Sequence, residues 1–119
     1  MITKCSYANA LRQEIHSQLY DNMRSIAAIA DCRKDHVLFS TLINEKILYD
    51  QKNTGINAVI QQVALDSGYC LIDADQTAAA RNLQDLVNPG DNYHLTDTGN
   101  EFLSGLIAGE IGRVVQSRK

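Results

Sequence analysis

The sequence predicts an α/β fold with parallel strands, and two observations carry that reading. Helical and strand-like patterns alternate along the chain, and the strand-like patterns are short continuous apolar runs of the kind found in strands covered on both faces. From Ser6 to about Ala30, apolar residues recur three or four apart at Leu11, Ile15, Leu19, Met23, Ile26 and Ala30, which predicts an amphipathic helix. His36 to Ile43, HVLFSTLI, is apolar, β-branched and too short for a helix, and is expected to form a first buried strand. Ile56, Val59, Ile60, Val63 and Ala64 make a second helical stripe, with Gly68 placed as its C-cap. Tyr69 to Ala74, closed by Asp73, reads as a second buried strand. Thr77 to Leu86 is a weaker helical stretch, and Asn88-Pro89-Gly90 signals a turn. Thr96 suits the N-cap of a last helix through Phe102, Leu103, Leu106, Ile107, Ile111 and Val114, with Asp97 in its first turn and Arg113 near its end. No repeat or linker interrupts residues 1–119, which are read as one α/β domain.

Composition narrows the function classes. The 119 residues are 45% hydrophobic and 21% charged with a single proline, the balance of a globular domain and not of a collagen-like or disordered chain. No apolar run approaches the roughly 18 to 20 residues that cross a bilayer, so no membrane span is expected. The net charge is −3, and Arg12, Lys34, Lys46, Lys52 and Arg81 are scattered, which offers no footprint for a phosphate backbone. Nucleic acid is therefore not an expected partner. Cys5, Cys32 and Cys70 are too few and too far apart for a disulfide framework or a zinc knuckle, and read as reduced thiols, two of them buried. The N-terminus has no basic segment followed by an apolar one, so the default location is the cytoplasm.

Asp91-Asn92-Tyr93-His94-Leu95-Thr96-Asp97-Thr98-Gly99 is the stretch most able to carry chemistry. An aspartate and a histidine three apart on a turn can fold toward each other, so that the carboxylate accepts the imidazole Nδ1–H and leaves Nε2 facing outward as a base. A solvated surface turn is the competing reading. No serine has the setting of a nucleophile, a tight strand-to-helix turn beside a base. Ser17 and Ser25 fall within the first helix, Ser40 in a strand, Ser67 at a helix end, Ser104 in the last helix and Ser117 in the tail; Ser6 heads a helix but follows no strand. His16 is expected on the solvated side of the first helix and His36 at a strand edge facing water. Cys32 and His36 lack a second ligand pair, so no zinc site is expected. Asn44 and Asp73 end the two strands, where ligands gather in open α/β sheets, although both also suit loop capping. Gly105, Gly109 and Gly112 line one side of the last helix, as a second packing surface or a small exposed face.

DNYHLTDTGNEFLSGLIAGEI resembles the last sequence block of the SGNH (GDSL-type) esterase and lipase family, a DxxHLTxxG motif followed by the terminal helix. Ile56-Asn57 entering a helix, Gly68, and the strand closing on Ile72-Asp73 are similar to that family's penultimate helix and strand. Residues 6 to 30 and HVLFSTLI match the pair before it. The resemblance implies a flavodoxin-like α/β/α sandwich, present here only as its C-terminal half and with few strands, in which Asp91 and His94 are the acid and base of a catalytic triad. It implies carboxylic ester hydrolysis with no metal and no cofactor. The family's GDS nucleophile block, its oxyanion glycine block and its GxND-like block are absent from these residues, and an export signal would be lost with them. The expected chain is thus a truncated esterase module, inactive alone, that self-associates or binds a complementary chain through the unpaired edge of HVLFSTLI. A non-enzymatic, oligomeric α/β structural or interaction protein is the alternative.

Overall fold

A computed structural model describes residues 4–43, 55–90 and 94–117. It is mixed α/β and mostly helical, with four helices and a two-stranded parallel sheet among the described residues. The elements are α1 (Lys4–Arg33), β1 (Leu38–Ser40), α2 (Ile56–Ser67), β2 (Cys70–Ile72), α3 (Ala74–Ala80) and α4 (Asp97–Ser117). The chain divides into two compact units, Met1–Phe39 with Asn53–Leu71 and Ser40–Lys52 with Ile72–Lys119, each taking part of both strands.

In the first unit α1 packs on α2. The reason is complementary stripes: Tyr20, Met23 and Ala27 of α1 meet Ile56, Val59, Ile60, Val63 and Ala64 of α2, with Phe39 and Tyr69 closing the cluster. Val63 is fully buried at its centre, with 0% of its surface exposed. Polar bonds fasten the rim. Tyr20 donates to Asp66 at 2.6 Å, Arg24 to the Ser67 hydroxyl at 2.8 Å, and Gln62 to Asp66 at 2.8 Å. The Tyr20 bond and then that of Gln62 hold the Asp66 carboxyl below its ordinary 3.8, while the same tyrosine–carboxylate bond raises Tyr20 above 10.0. Tyr69 donates to Asp31 on α1, and its ring meets Phe39 and His36 edge-on.

Helix ends follow their caps. Gly68 adopts φ 72°, open to glycine at no steric cost, and its N–H reaches the Ala64 and Leu65 carbonyls. Asp73 accepts from the Gln76 N–H and starts α3, three residues earlier than the sequence pattern suggested. That helix also stops at Ala80 and not Leu86, because Asn82 and Asp85 take left-handed φ of 52° and 59°, a conformation short polar side chains tolerate. The strands are shorter than their apolar runs. Pairing involves one neighbour each, so only Leu38–Ser40 and Cys70–Ile72 are strand, although Thr41, Ile43 and Ala74 beyond them are buried. Helix α1 extends past both expected ends, which places Ser6 inside it.

Two expectations about side chains are corrected. Of the thiols, Cys32 is exposed on the outward side of α1, away from the stripe that faces α2, and Cys70 is half-buried. His16 is half-buried, not solvated, because its ring lies against Gly55 at the start of α2; a Cβ there would meet the imidazole at 2.9 Å.

Shortening a side chain in the first unit should leave a cavity. Ile60→Ala is expected to lower the free energy of urea unfolding by about 2 to 4 kcal/mol, and a loss under about 0.5 kcal/mol would show that α1 and α2 do not share this core.

Candidate functional site

The second unit contains the segment expected to carry chemistry. After α3, residues 82–86 lead into an antiparallel bridge between Val87 and Leu95. The Asn88 N–H donates to the His94 carbonyl at 2.7 Å, so residues 88 and 94 are the paired ends of a closed loop. Inside it, the Asn88 side chain accepts from the Gly90 N–H at 2.8 Å, the turn that Asn-Pro-Gly favours.

Thr96 joins this loop to α4 by three bonds. Its N–H donates to the Leu86 carbonyl at 3.0 Å, its hydroxyl donates to the Asp85 carbonyl, and its Oγ1 accepts from the Gly99 N–H at 3.0 Å. The last is an N-cap bond, satisfying a donor that the helix itself leaves unpaired. Gly99 is buried against the Leu86 backbone. A Cβ on it would lie inside the van der Waals shell of the Leu86 carbonyl, 2.9 Å from the carbon and 3.2 Å from Cα. The motif positions Thr96 and Gly99 therefore have definite jobs: one ties the loop to the helix, the other lets the helix sit against the Leu86 backbone. Leu86 and Val87 are buried beneath, and His94, just ahead of the clamp, is exposed.

Asp91 lies outside the described residues, as does Asn44. His94 is thus the member of the expected pair that the structure positions, with its main chain fixed and its side chain at the surface. Asp73 serves as the N-cap of α3 and accepts from the Thr41 hydroxyl at 3.0 Å, while Thr41 Oγ1 accepts from the Asp75 N–H at 3.1 Å. With the Thr41 N–H donating to the Ile72 carbonyl at 3.1 Å, Thr41 ties together the ends of β1 and β2. Sequence reasoning passed over Thr41, whose hydroxyl sits beside Ser40 within the run HVLFSTLI and whose pairing with Asp73 is long-range. The serines stay in regular elements. Ser25 donates to the Asp21 carbonyl, Ser40 to the Thr41 carbonyl, and Ser67 is held by Arg24. His36 is exposed before β1, edge-on to Tyr69. A Cβ on Gly105, Gly109 or Gly112 would meet nothing within 4 Å, so this stripe is open among the described residues. No three His, Cys, Asp or Glu side chains among them are grouped to hold a metal ion, and no helix among them is long and apolar enough to cross a membrane.

The chain matches no protein-family model, no curated protein and no solved structure at significant similarity.

The contrast between two glycines of α4 checks the clamp. Gly99→Ala is expected to destabilise the protein by about 1 to 3 kcal/mol, because the new methyl must displace backbone. Gly105→Ala, in open space on the same helix, is expected to stabilise it by up to about 1 kcal/mol. Equal effects of both in thermal unfolding would contradict the packing described.

Proposed function

We propose that these residues form the acid–base half of an SGNH-type carboxylic ester hydrolase. His94 is the general base, Asp91 the carboxylate that orients it, and the nucleophilic serine and oxyanion donors belong to a complementary segment whose strands would extend β1 and β2 into a flavodoxin-like sandwich. The observation that carries this reading is the clamp around His94. Each distinctive residue of HLTxxG has a physical reason to be there, and together they hold a surface histidine at the mouth of a closed loop. A base that must meet a nucleophile from elsewhere needs a fixed backbone and an exposed ring.

In the assembled site, His94 Nε2 takes the proton of the serine Oγ as that oxygen attacks the ester carbonyl. The resulting imidazolium, stabilised by Asp91, returns the proton to the departing alcohol. Water then repeats the sequence on the acyl-enzyme, releasing the carboxylic acid and restoring the serine. A non-enzymatic α/β interaction module is the second reading. It is favoured by the serine hydroxyls of positions 25, 40 and 67, which are engaged within regular elements.

The test is p-nitrophenyl acetate hydrolysis by the chain alone and by the chain joined to a segment bearing GDS, oxyanion-glycine and GxND-like blocks. The esterase reading expects no His94-dependent turnover by the chain alone, and turnover by the folded chimera that falls at least about a thousandfold in His94→Ala. A folded chimera whose hydrolysis is absent, or unchanged by His94→Ala and Asp91→Asn, supports the interaction module instead.

A further inference from the structure

Helix α1 carries two apolar faces, and among the described residues of the first unit one of them is packed. Tyr20, Met23 and Ala27 face α2. Roughly 140° round the helix, Leu11, Ile15, Ile26 and Ile29 are 45, 52, 54 and 61% exposed. With the exposed Gln18 and Asn22 between them, these six positions are spaced 4, 3, 4, 4 and 3 residues apart. That is an eleven-residue period, close enough to the pitch of a straight helix to keep them on one line about 27 Å long.

We propose that this line is the contact surface for a second copy of the chain, with the two α1 helices antiparallel about a two-fold axis near residue 20. A two-fold contact must be complementary to itself, and this stripe is. Leu11 falls opposite the partner copy's Ile29, Ile15 opposite its Ile26, and Gln18 opposite its Asn22. Apolar side chains therefore meet apolar ones at both ends, and amides meet amides in the middle, where a polar pair fixes register. Antiparallel packing also sets the two helix dipoles in opposition.

The area of the patch fits a weak, transient dimer and not a permanent one. The four apolar side chains expose roughly 400 Å² per copy, half of the ~800 Å² per partner typical of a specific interface. No charged residue lies on the stripe between Leu11 and Ile29. The interface uses neither Asp91 nor His94 and is distinct from the β1 edge.

Analytical ultracentrifugation of the full chain tests it. A monomer–dimer equilibrium is expected in the micromolar range. Ile15→Glu with Ile26→Glu should weaken association at least about tenfold while leaving the circular dichroism spectrum unchanged, since both side chains are exposed. Asn22→Leu should tighten it at least about tenfold, a gain that misfolding cannot imitate. Gln18→Glu with Asn22→Lys should preserve or strengthen the dimer and make it salt-sensitive, because each introduced carboxylate then faces the ammonium introduced on the partner copy. A monomer at all concentrations, a dimer indifferent to positions 15, 22 and 26, or a dimer broken by the 18/22 charge pair would each overturn the proposal.

Discussion

The carbonyl of Leu86 is the point on which the second unit turns. It accepts the Thr96 N–H, and Gly99 is packed against the same peptide, so the end of the segment after α3, the returning end of the loop and the first turn of α4 meet at one group. A helix N-terminus is otherwise a weak anchor, with unpaired N–H groups that water competes for. Here the capping hydroxyl also donates back to Asp85, and the cap becomes a tertiary lock. The placement of His94 depends on it, because that residue stands two positions before the cap. Beside the lock, the loop is tethered by the Val87–Leu95 bridge and the bond from Asn88.

The first unit obeys a different constraint. Helix α1 has 30 residues and α2 has 12, so the partner covers only part of the longer helix. The contact is organised around Val63, Ile60, Ala27 and Phe39, with Ala27 the small residue that α1 contributes. That packing accounts for one face of α1 and leaves a regular apolar line on another. Aligned apolar residues exposed along one face are less easily dismissed than isolated ones, since scattered exposure is normal on any protein surface.

Much of this organisation was legible in the sequence. The order of helices and strands, the Gly68 cap and the Thr96 cap all follow from local chemistry, because glycine and threonine act on their own neighbours. The failures involve competition between neighbouring signals. Asp73 could end a strand or start a helix, and it did the latter because the Gln76 N–H was within reach. Thr77 to Leu86 kept a helical composition past Ala80, but Asn82 and Asp85 adopted left-handed backbone and turned the chain toward the loop. His16 looked solvated because the close approach of Gly55 is a long-range event that no local pattern records. For the site, the motif pointed to Asp91 and His94, yet the partners that hold it, Asp85 and Leu86, contribute only backbone carbonyls. A carbonyl leaves no mark on the residue type.

Native-state hydrogen exchange, read residue by residue by NMR, tests the lock most directly. If the account is correct, the Thr96 and Asn88 amides, bonded to the Leu86 and His94 carbonyls, exchange at least about a hundredfold more slowly than free peptide. Exchange of both at the free-peptide rate, under conditions where the Val63 amide in α2 stays protected, would show that the loop bearing His94 is not held as described.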